Sequence, residues 1–149
     1  MLYAQVHLTL PAWVHEEAEH ERLYPDASSR IALAIDLSRR NVQHRTGGPF
    51  GAAVFSRDGR LLGVGVNRVV PTQCSSAHAE VLALATSQQR TQAYRLNVGG
   101  SRITLAASSQ PCAMCFGALL WAGIDELLIG ASGEDVQSLA GFDEGPLPA

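Results

Sequence analysis

Pro111-Cys112-Ala113-Met114-Cys115 and His78-Ala79-Glu80 are the two stretches of this chain that decide its fold and its chemistry. Pro111 suits the first turn of a helix, and the two cysteines after it are three residues apart, so they share one helix face. His78 opens the preceding predicted helix. If both helices start at the same edge of a sheet, one histidine and two cysteines meet at a single point.

This cysteine pair supports two kinds of chemistry, metal binding and disulfide exchange. The first turn of a helix lowers the pKa of a thiol, which suits disulfide exchange as well as metal binding. The histidine favours a metal, because a redox pair needs no distant histidine whereas zinc needs further ligands. Three protein ligands, His78, Cys112 and Cys115, leave one coordination position open, which is typical of catalytic zinc. Cys74, four residues before His78, is a rival ligand.

Glu80 lies two residues after the histidine and has two interpretations. As a carboxylate in a first helical turn it would stabilise the helix dipole. It does not complete a capping box, because Ser76 lies four residues before it rather than three. Beside a zinc ion, Glu80 would instead act as general base and general acid.

The segments around these motifs predict an α/β fold. We expect helices over residues 28–46, 77–89 and 111–122, and strands over 50–56, 61–66, 103–107 and 126–129. Asp58-Gly59 between the first two strands predicts a hairpin, and residues 67–76 read as a loop. After the hairpin, strands alternate with helices, which places the helices against a mixed sheet.

The two ends of the chain give weaker patterns. Residues 1–27 are expected to form an N-terminal arm, with a strand or extended segment over 2–10 and a charged helix over 15–21. The histidines of that helix are five residues apart, so they do not match a zinc protease helix. Residues 141–149 read as an irregular tail. We therefore predict a single domain over residues 1–149.

Composition excludes several classes of protein. The 149 residues carry a net charge of −3, and all eleven basic residues are arginine, so the chain lacks the lysine that Schiff-base enzymes and Walker-type phosphate loops need. Scattered arginines in an acidic chain argue against a nucleic-acid partner. No apolar run approaches a membrane span, and the composition of residues 1–11 leads us to expect no secretory signal there. Three cysteines, an odd number, indicate reduced thiols and a cytoplasmic protein.

Together, His-x-Glu followed by Pro-Cys-x-x-Cys is the signature of zinc-dependent base deaminases. The chain resembles the cytidine-deaminase-like superfamily, and within it the bacterial guanine deaminase branch. The resemblance extends over roughly residues 29–146. Besides the two metal motifs, it is carried by Gly48-Pro49-Phe50-Gly51-Ala52-Ala53-Val54, Gly65-Val66-Asn67-Arg68-Val69-Val70 and Gly141-Phe142-Asp143-Glu144-Gly145-Pro146.

This resemblance implies a fold and a reaction. The fold is a three-layer α/β/α sandwich with a central mixed sheet, assembled as a homodimer. One zinc ion per chain is held by His78, Cys112 and Cys115, and Glu80 moves protons during hydrolytic deamination. The expected substrate is a small free purine-type base, and the expected reaction converts guanine to xanthine and ammonia.

The resemblance also implies the residues that contact the base. Asn67 hydrogen-bonds the base, Phe50, Trp121 and Ala79 line its pocket, and Glu144 acts as a second catalytic acid. Members of this branch continue beyond the Gly-Phe-Asp-Glu-Gly-Pro stretch, so we expect their C-terminal segment to be missing after Ala149.

One departure and several alternatives stay open at this stage. Gln110 stands where the superfamily usually has glutamate. A tRNA adenosine deaminase or a cytosine deaminase would share the zinc motif. A non-catalytic zinc module of the same fold and a thiol-redox protein are the alternatives outside deamination, although neither explains Glu80.

Overall fold

The described residues form a four-stranded mixed sheet with helices on both faces. The structure is a computed structural model and describes residues 1–17 and 21–142. Its helices are α1 Ala12–Glu17, α2 Ala27–Gln43, α3 Val69–Thr72, α4 Ala79–Thr91, α5 Ala113–Ala122 and α6 Gly133–Ala140, with a 3-10 turn at Val98–Gly100. Its strands are β1 Gly51–Phe55, β2 Leu61–Val66, β3 Thr104–Ser109 and β4 Glu126–Ala131.

The direction of the strands explains why two helices start at one edge of the sheet. The spatial order is β2-β1-β3-β4. β1 is antiparallel to both β2 and β3, whereas β3 and β4 are parallel. β2 and β3 therefore run in the same direction, and α4 and α5, which follow them, begin beyond the same carboxyl ends. The predicted mixed sheet and its crossovers are confirmed.

Alternate residues of β1 pack against opposite helix layers, as the two-residue period of a strand requires. Ala53 and Phe55 lie in a core formed with α2. Ala52 and Val54 lie in a second core formed with α4 and α5. The predicted three-layer α/β/α sandwich is therefore confirmed.

Helix α4 approaches the sheet closely at Gly65. A Cβ atom on this residue would overlap the carbonyl oxygen of Ala79 and would lie 2.5 Å from the backbone nitrogen of Ala83. The absence of a side chain at Gly65 thus lets the first turn of α4 lie directly on β2. This contact fixes the position of the helix that carries His78 and Glu80.

The predicted N-terminal arm contains a helix that starts earlier than we expected. The charged helix was predicted over residues 15–21, whereas α1 spans Ala12–Glu17 and residues 18–20 lie outside the described part. Trp13 is buried, donates from Nε1 to Thr46 Oγ1 at 2.9 Å and stacks on His44. Residues 2–10 form neither strand nor helix. The arm is therefore packed against the body at Trp13.

Three further elements differ from the sequence prediction. The short helix α3 lies within the predicted loop of residues 67–76. Helix α5 begins at Ala113 with Cys112 as its N-cap, so Pro111 precedes the helix rather than opening it. Helix α6 was not predicted, although Ser132 and Asp135 form a capping box at its start, which is a sequence signal for a helix.

Three further predictions concern membrane spans, the C-terminal tail and the number of domains. Within residues 1–17 and 21–142, no helix is long and apolar enough to traverse a bilayer. Of the predicted irregular tail, residues 141 and 142 have no helix or strand, and residues 143–149 lie outside the described part. The single-domain organisation stays a prediction.

Candidate active site

The first turns of α4 and α5 lie together at one edge of the sheet. His78 is the N-cap residue of α4 and Cys112 is that of α5, both with extended backbone. Neither side chain caps its own helix. Cys115, in the first turn of α5, is fully buried. All three side chains are therefore free of helix capping and can face a common point.

These three side chains form a compact cluster of metal-binding atoms. Cys115 Sγ lies 3.5 Å and Cys112 Sγ lies 3.7 Å from His78 Nδ1. The three ligand atoms all lie within 4.8 Å of one another. One imidazole nitrogen and two sulfurs are a donor set that zinc prefers. The cluster is suited to one zinc ion, as the sequence predicted. Cys74 lies outside the cluster, and its Sγ forms a hydrogen bond with Ser76 Oγ at 3.2 Å.

Glu80 lies next to this cluster and is buried, with 6% of its surface exposed. The Cys115 thiol donates to Glu80 Oε2 at 3.4 Å. Burial, reinforced by the negative charges of Glu80 and Cys112, raises the pKa of the Cys115 thiol far above its usual range. A divalent cation would reverse this balance, because it stabilises the thiolate directly. A carboxylate at this position can also exchange protons with a molecule bound beside the metal.

A pocket of about 320 Å³ opens beside the cluster. Its volume suits a small organic molecule or a single flipped nucleotide base. Both apolar rings and polar groups line it. The residues that bear on its chemistry are Phe50, Asn67, His78, Ala79, Glu80 and Phe142.

Asn67 is held in a fixed orientation at the wall of this pocket. Its Oδ1 accepts from the backbone N–H groups of Gly48 at 3.4 Å and Val69 at 3.3 Å. The buried Asn41 donates from Nδ2 to the carbonyl oxygen of Asn67 at 2.9 Å. Because its oxygen is occupied by these backbone groups, Asn67 offers its amide NH2 to a ligand.

The family of the chain follows from a sequence comparison. A family model described as the cytidine and deoxycytidylate deaminase zinc-binding region matches residues 26–131. The chain belongs to this family. The matched range includes all four described strands and the His78, Cys112 and Cys115 cluster, so the deaminase is a zinc-dependent hydrolase.

Individual relatives of the deaminase act on different substrates. The guanine deaminase of Bacillus subtilis (strain 168) is 35% identical over 114 residues, which cover 76% of this chain and 69% of the relative. A solved structure of guanine deaminase from Nitrosomonas europaea superposes with a TM-score of 0.91 at 38% identity, covering 100% of this chain and 82% of that chain. A tRNA-specific adenosine deaminase of Buchnera aphidicola subsp. Schizaphis graminum (strain Sg) is 36% identical over 89 residues. That match covers 60% of this chain and 56% of the relative, so the deaminase spans little more than half of that protein.

Trp121 does not lie at the pocket of the deaminase. It is 84% exposed on the outer side of α5, in a surface groove with Tyr94 and Ala118. The physical reason is its spacing: nine residues after Cys112 is two and a half helical turns, which places Trp121 on the opposite face. The structure therefore brings Phe50, Asn67 and Ala79 to the site but not Trp121.

The structure also adds two residues that were not predicted to line the pocket. Phe142 packs edge-to-face on Phe50, with ring centroids 5.3 Å apart, and Gln110 joins the pocket lining. Phe142 belongs to the quoted Gly-Phe-Asp-Glu-Gly-Pro stretch, but its position depends on the unpredicted helix α6. The predicted second acid, Glu144, lies outside the described residues.

Proposed function

We propose that the deaminase hydrolyses guanine to xanthine and ammonia. The observation that carries the proposal is the buried Glu80 carboxylate beside both the zinc-binding cluster and a pocket of about 320 Å³. Similarity to the guanine deaminases of Bacillus subtilis and Nitrosomonas europaea supports guanine among the possible bases.

In this proposal His78, Cys112 and Cys115 hold one zinc ion. The chemistry that zinc supplies when bound is an acidified water, with a pKa of roughly 7, which is a nucleophile at neutral pH. Glu80 would take one proton from the attacking water and deliver it to the ring nitrogen next to the reacting carbon. It would then take the remaining proton of that oxygen and pass it to the departing amine, so that one water is consumed and one ammonia is released.

The remaining pocket residues orient the base. Phe50 and Phe142 provide aromatic surfaces for a flat ring. The amide NH2 of Asn67 donates to a ring nitrogen or carbonyl oxygen of the base, and Ala79 supplies a small wall that leaves room for it. We assign Glu144 the role of a second acid for the exocyclic amine, on the strength of the family resemblance alone.

Deamination of adenosine in tRNA is the second candidate, favoured by the similarity to tRNA-specific adenosine deaminases. The net charge of −3 and the lack of lysine argue against it, because phosphate contacts depend on cationic side chains. Cytosine is a further candidate base, because its amino group is also attached to an amidine-like carbon. A non-catalytic zinc module would have no use for the buried Glu80.

We also propose that the protein is a cytoplasmic homodimer. Helix α5 is apolar almost all round, and Met114, Leu120 and Trp121 on its outer side are 42%, 60% and 84% exposed. A helix of this composition is typical of a buried position, which a second copy of the chain would provide. Cys74, Cys112 and Cys115 are free thiols, which suits a reducing compartment.

A substrate panel tests the proposed function. Zinc-loaded protein is assayed for ammonia release from guanine, adenine, cytosine, ammeline, adenosine and a tRNA anticodon stem-loop. The proposal predicts the highest kcat/KM for guanine. A higher kcat/KM for the adenosine of the stem-loop, or for cytosine, would assign the site to the corresponding alternative.

A further inference from the structure

Gln110 connects the base pocket to helix α6. Its backbone N–H donates to the carbonyl oxygen of Ala131 at 2.8 Å. Its side-chain Oε1 accepts from the backbone N–H of Gly133, also at 2.8 Å. The two bonds lie on either side of Ser132, the N-cap residue of α6. Gln110 therefore fixes the point at which the chain leaves β4 and enters α6.

Helix α6 has a small buried surface. Among its eight residues, Val136 is buried, whereas Leu139 is 86% exposed. The capping bonds of Ser132 and Asp135 join these two residues to each other and orient nothing outside the helix. The orientation of α6 consequently depends strongly on the contacts at its two ends.

The second end of α6 leads directly into the wall of the pocket. The helix ends at Ala140, and its C-cap residue Gly141, with a φ of +74°, turns the chain. Phe142 then packs against Phe50, and both rings line the pocket together with Gln110. The contact of Gln110 at the start of α6 and the contact of Phe142 at its end thus border the same pocket.

We propose that Gln110 is a positioning residue that holds α6 in place and thereby keeps Phe142 as a wall of the base pocket. This assignment rests on the proposed function, since it gives Gln110 a role in binding the base. The group of Gln110 that carries this role is the side-chain Oε1, which accepts a hydrogen bond from the backbone N–H of Gly133. Loss of that oxygen frees the start of α6, and Phe142 then loses its fixed place against Phe50.

Three variants separate this role from a general effect on the fold. Gln110→Met keeps the length of the side chain but removes the acceptor, whereas Gln110→Glu keeps an acceptor for Gly133. We expect Gln110→Met to raise the KM for guanine about fivefold, because the loss of one neutral hydrogen bond has an effect of this size. We expect kcat to stay within about twofold of the parent value. We expect Gln110→Glu to restore the KM. Leu139→Ala, at an exposed position of the same helix, is the matched control and leaves the KM unchanged.

A double substitution tests the link to Phe142. Phe142→Ala alone is expected to raise the KM at least as much as Gln110→Met does. The combined variant is expected to have the KM of Phe142→Ala alone, because Gln110 acts only by fixing the position of the Phe142 ring. Additive effects would show that Gln110 acts independently of Phe142 and would overturn the proposal.

Hydrogen exchange of the substrate-free protein provides a readout that does not depend on turnover. The amides of residues 133–142 are expected to exchange faster in Gln110→Met than in the parent protein, with no change in α5. Unchanged exchange in Gln110→Met would overturn the positioning role. A fall in kcat accompanied by loss of zinc would also overturn it, because Gln110 would then act by supporting the zinc ligands Cys112 and Cys115. If the parent protein does not turn over guanine, the proposed function fails, while the exchange measurement still decides the role of Gln110.

Discussion

At the scale of single residues, Cys115 gives the sharpest test of the metal site. Its sulfur is fully buried between His78 and Glu80, where a thiol is hard to ionise without a cation. We expect Cys115→Ser to reduce zinc from one per chain to near zero, because a hydroxyl is a poor zinc ligand. Elemental analysis of the purified protein measures this. Cys74→Ser is the matched control, and loss of zinc in that variant instead would make Cys74 the ligand.

Asn67 allows the binding of the base to be separated from the local fold. Its Oδ1 holds the backbone of Gly48 and Val69, whereas its NH2 group is proposed to meet the base. We expect Asn67→Asp, which keeps the acceptor and loses the donor, to lower kcat/KM for guanine roughly tenfold to a hundredfold. Steady-state kinetics measures the effect, and thermal unfolding checks that the fold is retained. Activity close to that of the parent protein would show that the NH2 group of Asn67 does not contribute to binding of the base.

At the scale of elements, the close contact between α4 and β2 determines whether the site can form. A methyl group at Gly65 would overlap the Ala79 carbonyl oxygen and would push α4 away from the sheet. We expect Gly65→Ala to lower the free energy of unfolding by about 1–3 kcal/mol, the range for overpacked cores. Urea denaturation measures this. Gly117→Ala, where no atom lies within 4 Å of the added Cβ, is the control, and equal stability of the two variants would contradict the account.

The elements that could be predicted from sequence are those with a strong local signal. The strand over 61–66 follows from its apolar β run, and the turn at Asp58-Gly59 follows from its residue types. Two helices that begin within two residues of the predicted starts at 77 and 111 follow from the apolar pattern and the metal motifs. The start of helix α1 at Ala12 and its packing escaped prediction because Trp13 is held by Thr46 and His44, which are distant in sequence. Helix α6 was missed although its local signals are present, namely a capping box at its start and apolar residues three and four positions apart at Val136, Leu139 and Ala140.

In the site, as in the fold, residues whose positions depend on local sequence could be predicted, and residues whose positions depend on distant contacts could not. His78, Glu80 and Cys115 could be predicted because fixed spacing within two helix starts determines where they lie. Phe142 could not, because its position depends on the path of the chain through α6. Trp121 was expected at the pocket from its place on the same helix as Cys112, but helix rotation puts it on the opposite face.

At the scale of the whole molecule, the exposed side of α5 predicts the oligomeric state. Trp121 and Leu120 are 84% and 60% exposed on this side. We expect the parent protein to be a dimer and Trp121→Glu to be a monomer, because a charge in the centre of an apolar interface is strongly unfavourable. Light scattering coupled to size-exclusion chromatography measures the mass. Val42→Glu, at an exposed apolar position on α2, is the control; a monomeric parent protein would contradict the proposed dimer.

The central claim is that the deaminase uses zinc and the Glu80 carboxylate to hydrolyse guanine. The most direct measurement compares ammonia release from guanine by the zinc-loaded parent protein and by zinc-loaded Glu80→Gln. Glutamine keeps the shape of the side chain and cannot accept a proton, so the account predicts a fall in kcat of about 10²-fold or more with one zinc per chain retained. Equal kcat in the two proteins at equal zinc content would contradict it.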